Sequence, residues 1–135
     1  MFLLDTNVVS ELRRPATADP KVVAWANALR PFDLFLSAIT VLELETGALR
    51  LARRDPKAGR AIRRWIDDRV MPSFVDRIIG IDTDIARRCA TLHVPDPRPY
   101  RDSLIAATAL VHQLTVVTRN QADFTSMGVQ VLNPW

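Results

Sequence analysis

The chain is poor in cysteine, histidine, glycine and aromatic residues, and each shortage removes a class of function. Cys89 stands alone among 135 residues. It can form no internal disulfide and, with only His93 nearby in sequence, no zinc cluster; a small buried thiol is its expected role. The four glycines are scattered, which leaves no glycine-rich loop to cradle a nucleotide phosphate. His93 and His112 are the only histidines; they read as a surface loop residue and a helix C-terminal residue, so no nucleophile triad is in sight. Aromatic residues make up 7% of the chain, too few and too core-like for a base-stacking platform. No apolar run is long enough to span a bilayer, and no basic region precedes the short apolar start. A cytoplasmic protein with no membrane partner is expected.

What is present fits one globular domain, residues 1–135. The chain is near the commonest domain size, with 48% apolar and 24% charged residues. Its net charge is only +3, but sixteen of its eighteen basic residues are arginine. Arginine's planar fork suits phosphate and carboxylate, although genome composition produces the same bias equally well.

Apolar stretches and helical patterns alternate along the chain. Met1-Phe-Leu-Leu runs into Asp5-Thr6-Asn7 and then Val-Val-Ser-Glu-Leu, a strand that ends in a turn and opens a helix over about Val8 to Arg13. Pro20 starts a second helix that Pro31 ends. Leu34–Ser37 reads as a strand, Thr40 as the cap of a helix fading near Asp55-Pro56, and Lys57 to Val70 as a further helix. Arg77–Ile81 is an expected strand. Thr83 to Leu92 is an expected helix, capped by Asp82 or Thr83. A proline-rich connector leads to Asp102 and an apolar helix over Ser103–His112. Leu114–Thr118 and Val129–Leu132 are the last expected strands, with one helical turn near Asp123-Phe124 between them. Strands separated by helices imply an α/β fold: a mostly parallel central sheet covered by helices on both faces, in three layers.

Four acids fall where such a fold can gather them. Asp5 and the Arg119–Asp123 segment follow strand ends, so they share the edge at which open α/β sheets bind ligands. Asp102 begins a helix, and Glu43 places a carboxylate in a segment that otherwise reads as core, where acids are rarely left without a partner or a metal. Each has a plain structural alternative. Asp5 and Asp102 can cap helices, Asp123 can close a capping box with Asn120, and Glu43 can pair with Arg50 on the surface. Glu45 reads as a surface acid. Four converging carboxylates would repel unless a cation neutralised them, and oxygen ligands without His or Cys suit magnesium or manganese. Metal-assisted hydrolysis of a phosphodiester is the reaction class this favours. Arginines at helical spacing from Arg50 and Arg53 through Arg64 could rim such a pocket, or form a solvated face balanced by Asp67 and Asp68.

The segments Leu3–Leu12, Ser37–Leu44, Asp102–Leu110 and Val117–Phe124 together resemble the four acidic motifs of PIN-domain ribonucleases, in particular the VapC-type toxins of the FitB-like branch. The tail Leu132-Asn133-Pro134-Trp135 also resembles that branch, and the likeness covers essentially the whole chain. The resemblance implies a single PIN domain with Asp5, Glu43, Asp102 and Asp123 as catalytic, metal-binding acids, Thr118 and Asn120 as polar support, and Thr6 or Asn7 behind them. It further implies Mg2+- or Mn2+-dependent cleavage of RNA of the tRNA or rRNA class, and hence inhibition of translation and growth. The implied partners are a second copy of the chain and a VapB-like antitoxin, with DNA met only through that antitoxin. Arg101, Arg119, Arg50 and Arg53 are the expected RNA contacts. Two rival readings remain open. A phosphotransfer or phosphatase domain using Asp5 as nucleophile would want a second aspartate where Asn7 stands, together with a well-placed lysine. A non-catalytic RNA- or DNA-complex-binding regulatory module would be expected to have lost some of the four acids.

Overall fold

In a computed structural model, which describes residues 1–135, every strand of the sheet is short and every strand pair is parallel. The strands are β1 (Phe2–Leu4), β2 (Leu34–Ser37), β3 (Ile78–Ile79), β4 (Thr115–Val117) and β5 (Val131–Leu132), in the spatial order β3-β2-β1-β4-β5. β1 is central, so its C-terminal end lies between those of β2 and β4. Pleating sends alternate residues to opposite faces. Leu3 and Val116 enter one core with Ile105, Ala106, Ala109 and Phe124, while Leu4, Leu36 and Val117 enter the other with Val8, Val22, Leu44 and Ile66.

The helices are α1 (Thr6–Glu11), α2 (Pro20–Asn27), α3 (Ala38–Arg54), α4 (Pro56–Trp65), α5 (Met71–Ser73), α6 (Thr83–Leu92), α7 (Tyr100–His112) and α8 (Ala122–Thr125). α7, backed by α6, covers the first face; α1 to α4 supply the core of the second. The three-layer arrangement is the one expected. No helix is long and apolar enough to cross a membrane.

Several boundaries differ from the expected ones, for local reasons. α1 starts at Thr6 because Asp5, the residue after β1, is its N-cap and accepts from the Thr6 amide. α2 stops at Asn27, and Pro31 instead opens a single 3-10 turn. α3 is capped by Ser37, the last residue of β2, not by Thr40; Thr40 is buried and its hydroxyl donates to the Leu4 carbonyl. The helix expected through Val70 leaves α geometry at Ile66. Pro72, inside α5, offers no amide and its ring crowds the carbonyl one turn earlier. The chain widens into a π-turn over Ile66–Val70, where the Met71 amide reaches back to the Ile66 carbonyl. β3, β4 and β5 are each shorter than the apolar runs that contain them.

α3 and α4 form a tight pair around Gly59. A Cβ there would lie 2.5 Å from both Cα and Cβ of Ala52. Helix propensity alone favours alanine by about 1 kcal/mol, but overpacking against backbone costs roughly 1–3 kcal/mol. Gly59→Ala is therefore expected to lower the urea midpoint, with a net loss of about 1 kcal/mol; a raised midpoint would show that the two helices separate freely.

Candidate active site

The C-terminal ends of β1 and β4 build the site from the backbone outward. The Asp5 amide donates to the Val117 carbonyl at 2.9 Å, which continues the β1–β4 ladder by one residue and fixes where the Asp5 side chain emerges. That side chain is 8% exposed. Its Oδ1 accepts from the Thr6 amide at 2.8 Å, and its Oδ2 accepts from the Thr118 hydroxyl at 2.8 Å and from Asn7 Nδ2 at 3.4 Å. The Thr118 hydroxyl is in turn fully used. It accepts from Asn7 Nδ2 at 3.2 Å and from the Asn120 amide at 3.0 Å. Asn7 Oδ1 takes the Arg119 amide at 3.3 Å. Thr118, Asn7 and Asn120 thus form one network that orients Asp5.

Glu43 arrives from α3, which begins directly at the end of β2. Its Oε1 accepts from the Thr6 hydroxyl at 3.2 Å, and its Oε2 lies 4.0 Å from Nη1 of Arg101. The alternative surface pair with Arg50 does not form. Glu45 stays outside the site and pairs with Arg63 at 2.6 Å. Asp102 sits inside the first turn of α7, whose N-cap is Pro99, and Asp102 itself caps nothing. Nor does Asp123 close a capping box: the Asn120 amide is committed to Thr118, and α8 begins after Gln121 without a side-chain cap. Phe124, fully buried beside Asp123, anchors that turn in the core.

Asp5, Glu43 and Asp102 are all raised. Asp102 is pushed from its ordinary value of 3.8 up to about 6, first by loss of water and then by the charges of Asp123, Asp5 and Glu43; Arg101 opposes this. Asp5 is raised by burial and by the charge of Asp123, against the hydrogen bonds from Thr118 and Thr6. Glu43 is raised mainly by burial and also by Asp5. Four carboxylates from β1, α3, α7 and the β4–α8 turn therefore share one electrostatic site. No three of them, with or without a His or Cys, are gathered as a ready-made coordination shell. The donor set nevertheless fits a hard cation, since magnesium keeps several waters and takes only one or two carboxylates beside substrate phosphate.

Arg50 and Arg53 are exposed on α3, and the groove that leaves the site past Thr6 and Glu43 is walled by Arg13 and Arg54. That groove has a volume of about 420 Å³ and a floor of Leu44, Ala48, Leu51, Ile62 and Trp65. Sequence spacing could not show it, because its walls come from three helices. Arg63 is spent on Glu45 and Asp67. His93 is no surface loop residue: it caps the C-terminus of α6, half-buried, with Nε2 2.9 Å from the Ser103 hydroxyl. Cys89 is buried as expected.

Because Asp102, Asp5 and Glu43 are all raised, the folded protein without cation holds protons that the unfolded chain gives up. The stability these groups contribute is complete below their ordinary values and is lost, for Asp102, as pH rises through about 6. Asp102→Asn is expected to melt progressively higher than the unsubstituted chain, both in EDTA, as pH goes from about 4 to about 7. A melting difference independent of pH would contradict the shared site.

A family model described as PIN domain matches residues 2–129. Toxin FitB of Neisseria gonorrhoeae is 39% identical over 141 residues, covering 100% of this chain and 99% of the relative. VapC ribonuclease Y4jK of Sinorhizobium fredii is 37% identical, covering 100% and 98%. Among solved structures, that of FitAB bound to an IR36 DNA fragment matches with a TM-score of 0.90 and 36% identity, over 100% of this chain and 96% of the other. With its four acids on one edge of a parallel sheet and these likenesses along its full length, the chain belongs to the PIN-domain family, as a VapC-type toxin.

Proposed function

We propose that the chain is a Mg2+- or Mn2+-dependent endoribonuclease that cuts tRNA or rRNA and so arrests translation and growth. The observation that carries this reading is the ordered setting of the acids: Thr6, Asn7 and Thr118 hold the Asp5 carboxylate, the Thr6 hydroxyl holds Glu43 beside it, and the charges of Asp123, Asp5 and Glu43 all reach Asp102. Asp5 and Asp102, with Asp123 and Glu43, would hold the ion, which when bound supplies Lewis acidity toward phosphate and a more acidic water. The chain's own residues do the positioning. Thr118 and Asn7 hold Asp5 Oδ2, and the Thr6 amide fixes one lone pair of Oδ1 and leaves the other for a ligand. The Thr6 hydroxyl turns Glu43 toward Asp5, and Arg101 beside Glu43 offers donors to the phosphate that enters.

A VapB-like antitoxin is the expected partner, with DNA reached through it, in keeping with the FitAB structure on DNA. The groove that opens from Glu43 and Thr6 between Arg13 and Arg54 is a fitting seat for an amphipathic segment carrying acidic groups. The rival reading, a non-catalytic regulatory module, is disfavoured by the order around Asp5: three donors meet its two oxygens, more than a degenerate site would need.

Purified chain incubated with a mixed tRNA and rRNA pool is expected to cleave with manganese, to stop in EDTA, and to lose at least about 100-fold in rate as Asp5→Asn. Intact RNA in every lane, from folded protein free of antitoxin, would favour the non-catalytic module. Independently of activity, magnesium or manganese should raise the melting temperature at neutral pH, and Asp102→Asn should blunt that rise. A melting temperature indifferent to both ions would argue against the ion site itself.

A further inference from the structure

Two arginines flank the acids and are used differently. Arg101 approaches Glu43 to 4.0 Å. Arg119 follows Thr118, and its amide is bound to Asn7, so it too borders the cluster. Yet the exposed Arg119 side chain forms an ion pair with no acid. Its guanidinium carbon lies over the Trp135 ring, 5.5 Å from the centroid. Attraction by nearby carboxylates would draw a free arginine into the cluster, and the indole face gives it another place to rest.

Trp135 is itself held in place. Its amide donates to Asn133 Oδ1 at 3.0 Å, Pro134 is buried, and the half-buried indole packs against the core that also holds Leu4, Val8 and Val117. Stacking occupies the face of a guanidinium and leaves its in-plane N–H groups open, and none of those on Arg119 is bonded to the protein. A cation kept beside four acids without being neutralised by them is what a polyanionic strand needs in order to approach such a site.

Resting on the ribonuclease reading above, we propose that Arg119 is a phosphate anchor for the RNA strand at the β4 edge of the site, and that Trp135 is the residue that positions it. The contact is to the backbone and carries no sequence information. It holds the strand next to the acids.

The test is equilibrium binding of a fluorescein-labelled, mixed-sequence single-stranded RNA to the full chain in EDTA, titrated with KCl. Losing one phosphate contact should flatten the plot of log affinity against log salt by about 0.7. Arg119→Gln and Trp135→Ala should both show that flattening, Trp135→Phe should restore the slope, and the double substitution should be no worse than either single one. An unchanged slope in Arg119→Gln overturns the proposal. So does a Trp135→Ala protein that binds more weakly and melts lower with its slope intact, since Trp135 would then only pack the tail. Cleavage with manganese, run in parallel, separates the two readings. A chain that cleaves RNA while Arg119→Gln keeps the parental slope loses this proposal alone, and one that neither binds nor cleaves RNA loses both.

Discussion

Nearly everything in the site depends on how a carboxylate is kept ionisable with 8% of its surface exposed. Burial alone would push Asp5 toward the neutral form, and its pKa is indeed raised. The Thr6 amide and the Thr118 hydroxyl work against that loss of water. Both donors are consequences of the fold. Thr6 is the first residue of α1, so its amide is one of the orphan donors of a helix start, and Thr118 stands next to β4, where the ladder sets it opposite Asp5. One carboxylate therefore links a helix cap, a strand pair and the site. Thr118 is the second pivot, because its hydroxyl also receives Asn7 and Asn120 and so decides where the chain after β4 turns toward Asp123.

The sheet explains why such short strands suffice. β1 is three residues long, but it is paired on both sides and its two leucines enter different cores. Ser37 ends β2 and caps α3 at once, so no loop intervenes between the sheet edge and the helix that carries Glu43. With no slack there, Glu43 stands within reach of Thr6 despite coming from a different strand–helix unit.

That economy also shows which features could be read from the chain. Parallel topology and the four acids were legible because they rest on local pattern: an apolar run stopping at Asp5, or a carboxylate between Leu42 and Leu44. Strand lengths were not, since an apolar run such as Leu114–Thr118 starts before the ladder does: Leu114 is buried in the core, but its amide bonds to the Ala109 carbonyl of α7. Thr40 looked like a cap because its residue type is common there, but Ser37 lay three residues nearer the strand and took the role. The Arg13–Arg54 groove and the Arg119–Trp135 stack were invisible for another reason. Both join residues far apart in sequence, with no periodicity to announce the meeting. The arginine spacing of α3 and α4 pointed instead to Arg50, Arg53 and Arg63, the last of which the fold uses up on Glu45.

The arrangement of charge separates two demands that would otherwise conflict. A site that binds a cation needs uncompensated carboxylates, and one that receives a polyanion needs uncompensated cations nearby. Full pairing of the two sets would stabilise the free protein and leave nothing for either ligand. The structure keeps them apart by geometry: Arg101 approaches only Glu43, and at 4.0 Å; Arg119 rests on an indole; Asp102 and Asp123 have no basic partner within ion-pair distance. The cost appears as the pKa of about 6 at Asp102, raised first by burial and then by its acidic neighbours, against which Arg101 acts. Strain of this kind is local, because Asp5, the one buried acid of the four, is also the one with the most hydrogen bonds. The repulsion therefore falls on the groups that face solvent, where a cation or a proton can relieve it without disturbing either core.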